Sequence, residues 1–374
     1  MPGPVALVFL LAAPIVPWAA PAGANVCTHT INAVPGALSP VPGSPFATGH
    51  DPSGIAIVPN GRFAYVTSFH DGTVSAYAIN ASTGALTPVA GSPFVAGSGP
   101  SMLAADPTSK FAYVTNVDSN NVSAYAINAS TGALTPMAGS PFATGSSPIG
   151  VSVTGRFVYV VNDGSSNVSG YTINAVTGAL TPLAGAPFAA GTRSISVAVD
   201  PTGKFAYVVN QIDNDVDAYV INVATGALTP VAGSPFSTGI LPEAVVVDST
   251  GKFVYVPNAD DNSVSAYTIN ASTGALTPVE GSPFATGGNP TTAAVDPTGR
   301  FAYVTSYPDG NVSGYTINPV TGALMLLTGS PFAAGSEPDA IVVDPTGKFV
   351  YVTNAGDGSV SAYTIRTLES CDPT

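Results

Sequence analysis

The stretch Asp344-Pro-Thr-Gly-Lys-Phe-Val-Tyr-Val-Thr-Asn354, followed by Ser359-Val-Ser-Ala-Tyr-Thr-Ile365, recurs in variant form along most of the chain. The phenylalanine that opens its Phe-(Ala/Val)-Tyr-Val core occurs seven times, at Phe63, Phe111, Phe157, Phe205, Phe253, Phe301 and Phe349. Successive copies lie 48 residues apart, except for one step of 46. A fixed period of this length indicates a single repeat array rather than several unrelated domains.

Each period contains four strand-like pieces separated by turn signals. In the period that begins near Ile195 these pieces are 195–199, 205–209, 216–221 and 228–231, and Asp200-Pro-Thr-Gly203 is the first turn. Four short antiparallel strands, repeated seven times, are typical of an all-β, seven-bladed β-propeller. An open β-solenoid is the competing fold.

The order of the strands within a blade can also be predicted. The fourth piece usually carries proline, which is tolerated on an edge strand, so we expect this strand outermost and the first strand beside a central channel. The mature chain starts partway through a period, because Cys27-Thr-His-Thr-Ile-Asn32 resembles a third strand and Ala37-Leu-Ser-Pro40 a fourth, and it stops after the third strand 361–365. The N-terminal strand is therefore expected to complete the last blade, which requires a closed ring.

Composition limits the partners. Only 8% of the 374 residues are charged and the net charge is −13, which disfavours nucleic acid and anionic lipid surfaces. We expect a monomer with no membrane span in the mature chain, and a small molecule, carbohydrate or protein as the partner at one loop face.

The two ends suggest export. Residues 1–24 hold an apolar run, Val5 to Ala20, and end in Ala22-Gly-Ala24, which is typical of a signal peptide preceding a mature chain of residues 25–374. A membrane anchor is the alternative, although the run is shorter than the ~20 residues of a span. Cys27 and Cys371 would then pair as a disulfide in a secreted, periplasmic or cell-surface protein, with two free thiols as the alternative.

The run Tyr-Val-Thr-Asn at 113–116 and 351–354, together with Asp-Pro-Thr-Gly-Lys, resembles the YVTN-type propellers of the lactonase family, over almost all of residues 25–374. The best-known members of that family are similar to 6-phosphogluconolactonase or to muconate cycloisomerase. The resemblance implies the propeller fold, but related propellers also occur as surface proteins without catalysis.

Residues that break the repeat are the candidates for function. Seven of the nine basic residues share one turn position before the repeated phenylalanine, which leaves Arg193 and Arg366. Two sets of loops are expected to surround one mouth of the channel. The first set contains His50, Asp51, Arg193, Glu243, Glu337 and Asp339. The second set contains His70, Asp71, Asp118, Asp163, Gln211, Asp213, Asp215, Asp260, Asp261, Asp309 and Asp357. They indicate either a small-ligand site in which Arg193 binds an anion, or solvated loops.

The family resemblance implies a catalytic set of one histidine, one arginine and one glutamate. Thr192-Arg193-Ser194 matches the arginine segment, but the glutamate segment falls on Asn210-Gln211-Ile212 and the histidine segment on Pro148-Ile149-Gly150. An amide cannot act as a general acid or base, and isoleucine cannot replace imidazole. We therefore expect this chemistry to be weakened.

Other sites are less specific. His50 and His70, with Asp51 or Asp71, could form a base or a metal site, although exposed loop histidines are the simpler interpretation. Asp213-Asn-Asp215 and Asp260-Asp-Asn262 suggest calcium loops or ordinary Asx turns. No cofactor or resident metal is predicted. The leading hypothesis is a non-catalytic binding scaffold, and the alternative is a lactonase-like enzyme.

Overall fold

The computed structural model describes residues 34–367, which form seven antiparallel β-sheets in a closed ring without a helix in that range. None of these residues lies in a helix long and apolar enough to cross a membrane. The predicted leader at residues 1–24, the predicted strand at residues 27–32 and both cysteines, Cys27 and Cys371, lie outside the described residues, so this strand, export and the disulfide stay predictions.

We number the blades 1 to 7 by their first strands. These are Pro52–Ile57, Pro100–Ala105, Pro148–Val153, Ser194–Val199, Val246–Val247, Pro290–Val295 and Pro338–Val343. The second strands are Phe63–Ser68, Phe111–Asn116, Phe157–Asn162, Phe205–Asn210, Phe253–Asn258, Phe301–Ser306 and Phe349–Asn354. The third strands are Thr73–Ile79, Asn121–Ile127, Asn167–Ile173, Asp215–Ile221, Ser263–Ile269, Asn311–Ile317 and Ser359–Ile365.

The outer edge of each blade consists of two short strands. The fourth strands, in the same blade order, are Leu86–Pro88, Leu134–Pro136, Leu180–Pro182, Leu228–Pro230, Leu276–Pro278, Leu324–Leu326 and Leu38–Pro40. The fifth strands are Phe94–Val95, Phe142–Ala143, Phe188–Ala189, Phe236–Ser237, Phe284–Ala285, Phe332–Ala333 and Phe46–Ala47.

The fifth strand was not predicted from the sequence. In blade 1 the fourth strand pairs with residues 77–79 of the third strand, and Phe94–Val95 then pairs with residues 73–74 of the same strand. A seven-residue third strand is too long for a three-residue neighbour, and its remaining backbone groups need partners. The chain returns to supply them.

The predicted ring closure is confirmed. Leu38 pairs with Ile365 and Pro40 with Tyr363, so the N-terminal strand is the outer strand of blade 7. Phe46 also pairs with Val360 on the same third strand. This pairing excludes the open solenoid, and the first strands lie innermost as expected.

The repeated tyrosine of the second strand ties neighbouring blades together. In blade 1 the hydroxyl of buried Tyr65 donates a hydrogen bond of 2.8 Å to the carbonyl of Gly132 in blade 2. The six equivalent bonds are Tyr113 to Gly178, Tyr159 to Gly226, Tyr207 to Gly274, Tyr255 to Gly322, Tyr303 to Gly36 and Tyr351 to Gly84. The motif that decides the fold therefore acts between blades, not within a site.

Candidate functional site

The first strands surround a central cavity of about 390 Å³, lined by residues of all seven blades. Much of its wall is aliphatic, with Ile149, Ile195 and Leu103 among the contributors. The charged side chains on the lining, within residues 34–367, are Arg193, Glu243 and Asp339. With Gln211, which also lines the cavity, four of the sequence-predicted candidates thus meet there.

In the loop that leads into each first strand, one residue has a left-handed backbone conformation with positive φ. This position is Asp51, Gly99, Ser147, Arg193, Leu241, Asn289 or Glu337, with φ between 45° and 64°. Glycine and asparagine adopt this conformation readily, whereas for other residues it costs about 1 kcal/mol or more of conformational free energy. At the mouth of the channel, the backbone is therefore strained at Arg193, Leu241 and Glu337. Backbone strain of this kind is common at functional sites.

Arg193 is paired with the preceding blade. Its Nε lies 3.0 Å from Oδ1 of Asp163, which follows the second strand of blade 3. About half of the arginine side chain is exposed, whereas Asp163 is mostly covered. Since Asp163 engages only Nε, the Nη groups have no hydrogen-bond partner among residues 34–367.

Glu243 and Gln211 form the contact that the sequence did not reveal. Nε2 of buried Gln211 donates a hydrogen bond of 2.7 Å to Oε1 of Glu243. Burial raises the pKa of Glu243 to about 7, against the opposing effects of the Gln211 hydrogen bond and the Arg193 charge. Position 211 thus carries an amide, as the sequence showed, and a carboxyl group of the next blade lies directly beside it.

Asp339 is the second carboxyl group of the cavity. Asp339 is partly buried and lines the cavity. Burial raises its pKa to about 7, and the charges of Asp51 and Glu243 act in the same direction. Two carboxyl groups with pKa values near neutrality thus share a cavity with one guanidinium group.

The rest of the mouth is polar but lies farther out. The hydroxyl of Tyr307 donates a hydrogen bond of 3.0 Å to Oε2 of Glu337. Burial and, to a smaller extent, this hydrogen bond raise the pKa of Tyr307 to about 12. Sequence reasoning missed Tyr307. Fourteen of the fifteen tyrosines repeat once per blade, on the second and third strands. Tyr307 belongs to neither series, and this departure from the repeat could have identified it from the sequence.

His50 and His70 do not line the cavity. Nδ1 of exposed His50 lies 2.9 Å from Oδ1 of Asp71, and Nδ1 of exposed His70 lies 3.0 Å from Oδ2 of Asp51. Contact with His50 lowers the pKa of Asp71. In place of a family-type histidine, Ile149 lines the cavity wall.

Five of the loop aspartates accept hydrogen bonds from the backbone. Carboxylates at one repeated position accept the N–H of the approach to the first strand, in the pairs Asp71 with His50, Asp213 with Thr192, Asp261 with Ile240, Asp309 with Gly288 and Asp357 with Ser336. Asp215 instead accepts from Asn210. Over residues 34–367, no group of three or more potential ligands has a geometry that could hold a metal ion.

Solved structures with the same fold include three that show its breadth. A Bacteroides uniformis protein described as a candidate 6-phosphogluconolactonase is 19% identical, with a TM-score of 0.67, covering 76% of this chain and 86% of that one. The periplasmic gluconolactonase of Pseudomonas aeruginosa is 17% identical, with a TM-score of 0.63 and coverages of 76% and 86%. Kuenenia stuttgartiensis hydrazine synthase is 18% identical, with a TM-score of 0.67 and coverages of 89% and 100%. At these identities the likeness shows the fold alone.

Sequence comparison is more specific about ancestry. No curated protein matches the chain. The family described as "Lactonase, 7-bladed beta-propeller" matches residues 27–149 and 148–331, which together exceed half of the sequence. The chain therefore belongs to the seven-bladed β-propeller lactonase family.

Proposed function

We propose that the protein hydrolyses lactones in its central cavity, with Glu243 as general base, Asp339 as general acid and Arg193 stabilising the oxyanion. The observation that carries this proposal is the contact between Gln211 and Glu243, which places a carboxyl group of pKa about 7 near Arg193. Family membership and gluconolactonase neighbours also favour catalysis over the scaffold that the sequence alone suggested.

Glu243 suits the role of base. Gln211 donates to its carboxylate and Arg193 lies close enough to lower its pKa, so both favour the ionised form that accepts a proton. A water molecule activated by Glu243 would attack the lactone carbonyl carbon and pass its proton to the carboxylate. The carbonyl oxygen then becomes an oxyanion, which the free Nη groups of Arg193 can bind.

Asp339 suits the role of acid. Burial favours its protonated form, and the acidic neighbours Asp51 and Glu243 act in the same direction. As the tetrahedral intermediate collapses, the ring C–O bond breaks and the departing oxygen takes the proton of Asp339. The product is a hydroxy acid, and exchange with solvent returns both carboxyl groups to their starting states.

Lactone turnover tests the proposal. The purified protein is incubated with sugar and simple alkyl lactones, and ring opening is followed as acid release at constant pH. Because the base must be ionised and the acid protonated, and both have pKa values of about 7, we expect activity to be maximal near neutral pH.

Glu243→Gln is the decisive variant, since it preserves shape and removes the base. We expect kcat to fall by about 10²–10⁴-fold. Glu280→Gln is the matched control, because Glu280 is an exposed acid that does not line the cavity. No turnover of any lactone by the unaltered protein, or equal activity of both variants, would overturn the proposal and favour a binding scaffold.

A further inference from the structure

We infer, on the basis of the proposed function, that the cavity takes an uncharged, hydroxylated lactone and rejects its phosphorylated counterpart, with the side-chain carbonyl of Gln211 accepting a hydrogen bond from a substrate hydroxyl. Two independent features support this inference: the distribution of charge around the mouth and an unpaired acceptor beside the proposed base.

The mouth of the cavity is acidic. Asp51 and Glu243 both act electrostatically on Asp339, and Asp260 acts on Glu243, so these four carboxyl groups share one region. Glu337 lies at the same rim, hydrogen-bonded to Tyr307. A phosphate dianion brought to this region would meet negative charge from several sides.

Arg193 offsets only part of this charge. Its guanidinium group is matched by Asp163 at 3.0 Å, so the pair is close to neutral while its free N–H groups can still donate hydrogen bonds. Such a pair can bind a developing oxyanion, but it leaves no surplus cation for a phosphate group.

The remaining repeat cations lie at the other end of the strands. They occupy the turn that joins first and second strands, at Arg62, Lys110, Arg156, Lys204, Lys252, Arg300 and Lys348. A six-residue strand separates that turn from the mouth by roughly 20 Å. These cations therefore lie too far from the mouth to contact a phosphate group bound there.

Gln211 supplies the second feature. Its side chain is only 8% exposed and lines the cavity, and its Nε2 is used by Glu243. Its Oε1 has no hydrogen-bond partner among the described residues. A buried acceptor without a donor is costly, so a site of this kind favours a ligand that brings one. A hydroxyl group on the lactone ring is such a donor.

A panel of three lactones tests the inference. δ-Gluconolactone is uncharged and hydroxylated, 6-phospho-δ-gluconolactone adds the phosphate, and δ-valerolactone has neither hydroxyl nor charge. We expect kcat/KM to be highest for δ-gluconolactone and at least tenfold lower for the phosphorylated form. Added salt should raise the rate for the phosphorylated form relative to the uncharged one, because it screens repulsion.

Gln211→Leu separates recognition from support of the base. Loss of the bond to Glu243 affects all three substrates, so the ratio of kcat/KM between δ-gluconolactone and δ-valerolactone isolates the hydroxyl contact. We expect this ratio to fall by roughly tenfold. Ile212→Leu, at the neighbouring exposed position, is the control and should leave the ratio unchanged.

The outcomes are distinct. Preference for the phosphorylated lactone would overturn the inference while leaving lactone hydrolysis intact. An unchanged ratio in Gln211→Leu would show that this residue only supports Glu243, and would also overturn the inference. Failure to hydrolyse any of these lactones or the wider panel would instead refute the proposed function.

Discussion

The blade interfaces and the mouth between blades 4 and 5 follow opposite rules. At the interfaces, one tyrosine makes the same bond to a glycine carbonyl seven times around the ring. At the mouth, the equivalent left-handed position carries arginine in blade 4 and leucine in blade 5, but glycine in blade 2. Repetition therefore marks packing, and departure from the repeat marks the place where a ligand is recognised.

The largest expected effect is a loss of stability when a blade interface, rather than the mouth, is altered. Tyr207→Ala removes a fully buried ring and its bond to Gly274, and should lower the free energy of unfolding by about 3–5 kcal/mol. Ile212→Ala, at the exposed rim, should change it by less than about 0.5 kcal/mol. Urea denaturation followed by circular dichroism gives both values. Similar losses in the two variants would show that the rim also carries the fold.

The second expected effect is a loss of activity at the mouth that leaves stability unchanged. Arg193→Gln removes the cation that would bind the oxyanion and should reduce kcat by about 10²–10³-fold. Since Arg193 is half-exposed and strained, we expect no loss of thermal stability. Arg193→Lys should restore little, because an ammonium group lacks the planar donor pair. Unchanged kcat in Arg193→Gln would remove this residue from the mechanism.

The contrast also shows what could be predicted. The period of the Phe-Tyr-Val motif determined the seven blades, the strand order and the closing strand, because those depend on local patterns that repeat. The pairing of Gln211 with Glu243 could not be predicted, since it joins loops of two neighbouring blades. Nearness of this kind depends on the radius of the ring and the tilt of its blades, neither of which is written in a local pattern. The fifth strand was missed because a two-residue pairing carries no periodic signal.

A third, smaller effect is a pH dependence that comes from the site. The pKa of Asp339 is raised to about 7 in the folded protein, above its ordinary value near 4. Between these values the folded state holds a proton that the unfolded state has released, so stability falls as pH rises from about 4 to 7. Asp339→Asn should match the unaltered protein at pH 4 and melt roughly 2–5 °C higher at pH 8. Identical melting curves at pH 8 would contradict the buried, uncompensated state of this carboxyl group.

The smallest effect tests whether the seam of the ring is equivalent to its other interfaces. Tyr303 donates to Gly36 on the N-terminal segment, whereas Tyr207 makes the same bond between blades that are continuous in sequence. Tyr303→Phe and Tyr207→Phe each leave one buried carbonyl without a donor, and each should cost about 1–2 kcal/mol of unfolding free energy. Equal losses would mean that the closing strand is held as firmly as any other. A clearly smaller loss for Tyr303→Phe would show that the seam opens before the rest of the ring, because a bond already broken in the opened state contributes less to global stability.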